Sequence, residues 1–230
     1  YTNSPMKILA ITSQKGGVGK TTIATSLAVA AQTAGRNVAL FDMDPQTSAC
    51  TWSDLRKAKA EGVVALSVRD VNFHRLPNYL QAAKEAGADL VILDCPPVHR
   101  DIAHEAMSVA DMVLVPTRPE VLDMMAMQAT VKTVQQSGKA AHVVLTSCPP
   151  RGTEAEAAKG IIRKMGAQLV PVDLHYRKAY SRAQIMGMTA QEFEPSGKAA
   201  EEVRGLYEYT NITLYGEQHG KAEGKSRRRV

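Results

Sequence analysis

The sequence predicts an α/β fold: a mostly parallel, twisted sheet flanked by helices. Three observations carry that expectation. Short apolar runs recur along the chain and alternate with longer helical stretches. Those runs are continuous rather than alternately apolar and polar, as strands buried on both faces are. The helical segments between them imply right-handed crossovers. With 230 residues, 44% hydrophobic and 22% charged, the chain suits one large domain with a core and is too short for two comfortable ones. No internal repeat or linker divides it.

Lys7–Thr12 is a short apolar run that ends in a glycine cluster, as a buried strand entering a loop does. Thr21–Ala34 is rich in Ala and Leu and stops at Gly35, the C′ glycine of a helix. Asn37–Asp42 is the second strand. Helices at Ser48–Ala60 and Val71–Ala86 precede a third strand at Asp89–Asp94. The remaining strands are Asp111–Pro116, Ala141–Thr146 and a short Ala167–Val170. Helices at Val98–Val109, Val121–Gln136, Glu154–Met165, Tyr176–Met186 and Ser196–Leu214 fill the intervals. In an open α/β sheet the working site lies at the carboxyl ends of the strands. That rule directs attention to the residues after Thr12, Phe41, Leu93, Val115 and Leu145.

The ends read differently from the body. Tyr1–Pro5 precede Met6 and read as an expression scar; they lack the basic start and apolar run of a signal peptide. No window approaches ~18 uninterrupted apolar residues, so no membrane span is expected. Residues 6–215 form the expected domain. The net charge is +5, and residues 217–230 hold five basic against two acidic side chains. The segment 216–230 therefore reads as a flexible basic tail, either a solvated terminus or a weak phosphate binder. Cys50, Cys95 and Cys148 are odd in number and widely spaced. They form neither a disulfide framework nor a zinc pattern, as expected in a reducing cytosol.

The most specific signal follows the first strand: Gln14-Lys15-Gly16-Gly17-Val18-Gly19-Lys20-Thr21-Thr22. The ordinary P-loop is G-x-x-x-x-G-K-[ST]. Gly19, Lys20 and Thr21 fit it, while Gln14 stands where the first glycine belongs, so the loop is a deviant one. Its physical logic survives. Glycines let backbone N–H groups wrap phosphate oxygens, and the helix beginning near Lys20 aims its positive end at the same anion. Lys20 supplies a point charge to the β and γ phosphates, and the Thr21 hydroxyl is the expected Mg²⁺ ligand. Lys15 cannot easily bend back onto phosphates its own backbone encloses. It is placed to reach outward to a phosphate held by a neighbouring subunit.

These residues resemble the ParA family of deviant Walker ATPases, whose mark is this loop with its signature lysine. Three further segments are similar to family motifs: Phe41-Asp42-Met43-Asp44-Pro45-Gln46 to the Walker A′ motif, Leu90–Pro97 to Walker B and switch II, and Asp111–Pro119 to the strand and turn that follow. The match runs over nearly all of 6–214. It resembles the short plasmid-partition branch, because no helix-turn-helix domain precedes the loop.

The carboxylates extend the argument. Asp42 and Asp44, at i and i+2, share a face of an extended segment. Beside a triphosphate they would repel it unless metal or water lay between, so they are candidates for holding Mg²⁺ and orienting the attacking water. The resemblance implies that Asp44 handles the water and Asp42 supports the metal shell. Asp94 resembles the Walker B aspartate, bound to Mg²⁺ through water. Helix or turn capping is the competing role for any one of them. No arginine finger stands near the loop motifs, so Lys15 from the opposite protomer is expected to neutralise the transition state.

The resemblance implies an ATPase whose ATP-bound sandwich homodimer binds double-stranded DNA without sequence preference. A ParB-like or cargo-adaptor protein would release it by stimulating hydrolysis, with ATP and Mg²⁺ as cofactors. The expected location is cytoplasmic and nucleoid-associated, the cargo a plasmid, a chromosome or another large assembly. Arg177, Lys178 and Arg182 at a helix start are the candidate DNA contacts, with Arg163 and Lys164 a second basic pair; a solvated helix face is the alternative. By the strand-end rule the loops at 146–151 and 171–177 flank the base.

The remaining residues take plain readings. Met124, Met125 and Met127 read as core or interface filler, Trp52 as packed on the sheet, and the six histidines show no metal spacing. Three other readings fit the motifs less well. A membrane-associated relative resembling MinD needs an amphipathic end, and few apolar residues follow Tyr215, so no membrane partner is expected. A metabolic or metal-transfer enzyme needs cluster cysteines or a second pocket, for which only Cys95 and Cys148 facing across a dimer could serve. A tyrosine autokinase needs a tyrosine-rich tail, whereas Tyr207, Tyr209 and Tyr215 lie at helix spacing.

Overall fold

Each apolar run places alternate side chains on opposite faces, and both faces find a helical layer. The computed structural model describes residues 5–59, 62–97 and 100–216. Residues 1–4 of the expected expression scar at Tyr1–Pro5, and residues 217–230 of the expected tail at 216–230, lie outside the described residues. The strands are β1 (Lys7–Ile11), β2 (Val38–Asp42), β3 (Ser67–Asp70), β4 (Leu90–Asp94), β5 (Met112–Thr117), β6 (Ala141–Leu145) and β7 (Gln168–Leu169). They form one sheet in the order β3-β2-β4-β1-β5-β6-β7, with every pairing parallel. The helices are α1 (Lys20–Thr33), α2 (Ser48–Lys59), α3 (Leu76–Glu85), α4 (Arg100–Val109), α5 (Val121–Gln136), α6 (Glu154–Lys164), α7 (Lys178–Ile185), α8 (Ala190–Phe193) and α9 (Lys198–Tyr215).

Ala10, Val91, Leu93, Val113 and Val115 point to one side of the sheet, where residues of α3, α4, α5 and α6 cover them. Leu9, Ile11, Leu40, Ile92 and Leu114 point to the other, beneath α1 and α9. Full burial of one such side chain is worth roughly 1.5–3 kcal/mol. The strand centre is therefore where a polar substitution costs most. β1 lies between β4 and β5, so the chain's path reverses around it. At such a point an open parallel sheet leaves a crevice at its carboxyl edge.

Three local features depart from the sequence expectation. β3 reads as loop because its Ser67-Val-Arg-Asp70 is mostly polar; it is an edge strand paired only with β2. The expected helix at Val71–Ala86 is instead a 3₁₀ turn at Phe73–Arg75 followed by α3. Asn72 is extended and caps the start of that turn by accepting the His74 N–H at 3.0 Å, and Pro77 falls in the first turn of α3, where a missing N–H costs nothing. The short α8 was not foreseen. Its capping box is formed by Thr189 and Glu192.

Arg56, almost wholly buried on α2, ties that helix to α8. Its guanidinium donates to both Glu192 carboxylate oxygens at 2.6 and 2.9 Å, to the Val64 carbonyl at 2.9 and 3.2 Å and to the Gly187 carbonyl at 3.1 Å. Trp52, one turn earlier, donates its indole N–H to the Met188 carbonyl at 3.1 Å. The tryptophan packs toward the α7–α8 connection, not only toward the sheet as the sequence suggested.

Candidate functional site

The loop from Ser13 to Gly19 joins β1 to α1 at the crevice. Gly17 and Gly19 have φ of 73° and 89°, the left-handed region that favours glycine, so this turn could not be made with ordinary side chains. Gly19 is the N-cap of α1 and offers no capping side chain. The helix's first N–H groups therefore keep their capacity for an anion. The loop is pinned from outside: the Thr146 hydroxyl at the end of β6 donates to the Val18 carbonyl at 3.0 Å, and the Gln14 N–H donates to the Thr130 hydroxyl at 3.3 Å.

Lys20 is buried, with Nζ 3.4 Å from the Lys15 carbonyl. Burial lowers its pKa, and the charges of Asp94 and Asp44 oppose that shift. Asp94 ends β4 beside Asp42, which is its register partner at the end of β2. Asp94 is buried, and neither carboxylate oxygen accepts a hydrogen bond. Burial pushes its carboxyl up to about 7; the nearby Thr21 hydroxyl, outside hydrogen-bond geometry, and Lys20 pull it down, while Asp42 pushes it up. An orphaned buried carboxylate next to a threonine hydroxyl and a phosphate cradle is the oxygen donor set that suits a hard divalent cation such as Mg²⁺. Thr21 and Asp94 are the residues that fit it.

Asp42, expected to support the metal shell, is engaged by backbone donors. One oxygen accepts the Asp44 N–H at 3.1 Å, and the other accepts the Ala49 and Cys50 N–H groups at 2.8 and 3.0 Å. Burial raises its pKa, and these three backbone donors oppose the shift. The carboxylate caps the start of α2 and fixes the loop that carries Asp44. Asp44 is half-buried and accepts the Gln46 N–H at 2.9 Å. The same loop holds Thr47 at φ 47°, an unfavourable conformation for a β-branched residue.

At the mouth, Lys15 is 41% exposed and lies 3.8 Å from Asp123 near the start of α5. Asp123 is buried and pairs more closely with Arg118, whose Nε lies 2.6 Å from Oδ2. Arg118 leans over the glycine loop: Nη2 sits 3.9 Å from where a side chain on Gly17 would begin. No arginine is adjacent to the loop in the sequence, and none was expected to act there. Arg118 is there because β5 neighbours β1 and the residue just past its end faces the crevice. It lies in the stretch after Val115 to which the strand-end rule points.

On the far side of the loop a cleft of about 260 Å³ is lined by Gly17, Val18, Thr22, Thr146, Ser147 and Tyr176, among others. The expected base-flanking loops supply one wall. Arg177 is the N-cap of α7 and not part of the helix. Its guanidinium lies 2.6 Å from Glu202, which also accepts from His175 and Tyr180. Lys178 and Arg182 are exposed on α7. A shallow groove joins them to Arg177 and to Lys198 of α9, a cation the sequence reading did not include. Arg163 and Lys164 lie on α6, on the opposite face of the sheet.

Cys95 and Cys148 are completely buried. Neither thiol is positioned to hold a cluster across an interface. Met124 and Met127 are core, while Met125 is exposed beside Val121 and Leu122. No described helix is long and apolar enough to cross a membrane.

A glycine loop between the central strand and its helix, a buried lysine within it and aspartates at the neighbouring strand ends define a phosphate-loop nucleotide-binding domain. The model of the CobQ/CobB/MinD/ParA nucleotide binding domain matches residues 9–190, and the chain belongs to that family of nucleotide-binding ATPases. It is 35% identical over 205 residues to the maintenance of carboxysome distribution protein A of Gloeobacter kilaueensis, covering 87% of this chain and 90% of that one. It is 30% identical over 184 residues to the protein ParA of Rhizobium radiobacter, covering 76% and 81%. Among solved structures, the MinD cell division protein of Aquifex aeolicus superposes with a TM-score of 0.73 at 18% identity, covering 89% of this chain and 96% of that one. The septum site-determining protein MinD of Pyrococcus horikoshii, complexed with Mg-ADP, superposes with a TM-score of 0.70 at 20% identity, covering 91% and 99%. These two structures share the fold.

Proposed function

We propose that the protein is an ATPase that positions a large cargo over DNA, cycling between an ATP-bound sandwich dimer and a dissociated form. The observation that carries this reading is Lys15: a loop lysine, partly exposed at the mouth, whose ammonium is paired among the described residues only with Asp123, at 3.8 Å, and can therefore serve a second copy. Phosphoryl transfer to water needs positioning and charge neutralisation rather than covalent chemistry. Lys20 and the loop N–H groups bind the β and γ phosphates, and Asp44 orients the water. Asp42 holds Asp44 in place through the backbone. Thr21 and Asp94 would hold Mg²⁺, which would neutralise phosphate charge. Two-fold symmetry doubles the α7 surface of Lys178 and Arg182, giving a non-specific double-stranded DNA contact. Arg177 contributes less than the sequence suggested, since Glu202 already engages it.

The dimer is released when a ParB-like or cargo-adaptor protein stimulates hydrolysis, and the protein works in the cytoplasm on the nucleoid. The cargo is a DNA molecule or a protein assembly; the similarity to a carboxysome distribution protein gives weight to the second. The test is DNA binding by gel shift without nucleotide and with ADP, ATP and a slowly hydrolysed analogue. Salt-sensitive, sequence-indifferent binding confined to the triphosphate states supports the reading. Equal binding in every state would remove it and leave an ATPase of another purpose. Flotation with anionic liposomes and ATP is expected to show no membrane binding.

A further inference from the structure

We propose that Arg118 is a catalytic cation for triphosphate hydrolysis, acting on the loop of its own protomer. The inference rests on the ATPase reading and adds a residue to it. Arg118 follows the last residue of β5, Thr117, so its backbone is fixed by the sheet at the edge of the crevice. Its Nε lies 2.6 Å from an oxygen of Asp123, an ion-pair contact outside hydrogen-bond geometry with a carboxylate only 2% exposed, and Glu120 lies 3.9 Å from Nη1. The guanidinium is therefore anchored at one side. Nη2 makes no hydrogen bond among the described residues and lies over Gly17, the exposed crest of the phosphate loop.

An anchored arginine over a phosphate loop is preorganised. It needs no reorientation when charge develops, and its planar fork matches phosphate oxygens. Lys15 shares the same carboxylate at longer range. The two cations therefore divide the work: Arg118 stays, and Lys15 is the one released toward a second copy. In hydrolysis the water oxygen bonds to the γ-phosphorus as the bond to the β,γ-bridging oxygen breaks. The electron pair of that bond leaves with ADP, and the water proton passes to the phosphate product. Arg118 neither gains nor loses a proton; it neutralises the charge spread over the γ-phosphoryl oxygens.

The test compares single-turnover hydrolysis by the wild-type chain, Arg118→Ala and Arg118→Lys, with ATP affinity and analogue-induced dimerisation measured alongside. Removing a preorganised oxyanion donor typically costs about 10²–10³-fold in rate. A loss of that size is expected for Arg118→Ala with affinity and dimerisation little changed. Arg118→Lys keeps the charge but not the fork and should recover only a small part. Free guanidinium at millimolar concentration should restore part of the Arg118→Ala rate, which a merely structural role would not allow. Mixing Arg118→Ala with Asp44→Ala protomers should restore nothing, because neither then holds a complete site; recovery would show Arg118 acting across the dimer and overturn the assignment. A wild-type chain that hydrolyses ATP while both Arg118 variants match it would overturn the inference alone. A wild-type chain without hydrolysis would overturn the ATPase reading beneath it.

Discussion

Replacing Arg56 by methionine should destabilise the protein severely, and by an amount that depends on pH. Arg56 is nearly inaccessible and spends its donors on Glu192 and the carbonyls of Val64 and Gly187. The change leaves two carbonyls without this donor and Glu192 without its cation. Breaking a buried pair in this way costs about 3–5 kcal/mol at neutral pH. For a domain of this size each kcal/mol lowers Tm by roughly 2–4 °C, so a drop of about 6–20 °C is expected. Burial alone would raise the Glu192 carboxyl, but Arg56 and Thr189 outweigh it and hold the pKa below its usual value. In the wild type the pair's contribution is therefore complete above the unfolded carboxylate pKa and fades as pH falls through the lower folded value. In the variant the sign reverses. An unpaired Glu192 prefers to be neutral, so the penalty is present at neutral pH and recedes on acidification. Urea denaturation at pH 7 and pH 5 measures both effects. A loss under about 1 kcal/mol at pH 7, well below the range for a broken buried pair, would refute the reasoning, as would a deficit that widens in acid. The double variant Arg56→Met, Glu192→Met should recover much of the loss, since apolar replacement of a whole buried pair is often neutral.

Other expectations follow from the same geometry. Lys15→Ala should still bind nucleotide, because Lys20 and the loop N–H groups remain, but should sediment as a monomer with a non-hydrolysable analogue and magnesium. A variant that dimerised and hydrolysed ATP at the wild-type rate would remove Lys15 from the reaction. His142, near the start of β6, meets the Tyr209 hydroxyl of α9 at 2.8 Å, and burial lowers its pKa. A histidine kept neutral in the folded state loses stability as pH falls from its unfolded pKa toward its folded one. His142→Phe should flatten that part of the stability profile below about pH 6.5, measured by thermal melts across pH 5–8; an unchanged slope would show that other groups set it.

The strands and the phosphate loop were legible because their signals are local. A continuous apolar run needs two covered faces, and Gly19-Lys20-Thr21 after a strand has few other uses. What the sequence hid depends on which strands end up adjacent. Arg118 sits 103 residues after Lys15 in the chain, and only the β1–β5 pairing brings its turn to the loop. Asp42 was legible as a strand-end carboxylate, but its capping of α2 became visible only once the following loop was seen to curl back. β3 was missed because an edge strand buries little and tolerates polar residues. The α7 cations were found as a cluster, yet the Arg177–Glu202 pair could not be, since Glu202 arrives from α9, 25 residues later.

Gln184 of α7 donates its amide N–H to the Thr22 hydroxyl at 3.0 Å. That oxygen is then an acceptor, and its one hydrogen stays available to a ligand in the cleft that Thr22 lines. A ligand taking that hydrogen would stop the rotor and, by polarising the oxygen, tighten the grip of Gln184. The helix that displays Lys178 and Arg182 is thus joined by a hydrogen bond to the first turn after the phosphate loop, and a ligand at the Thr22 hydroxyl would bear on both.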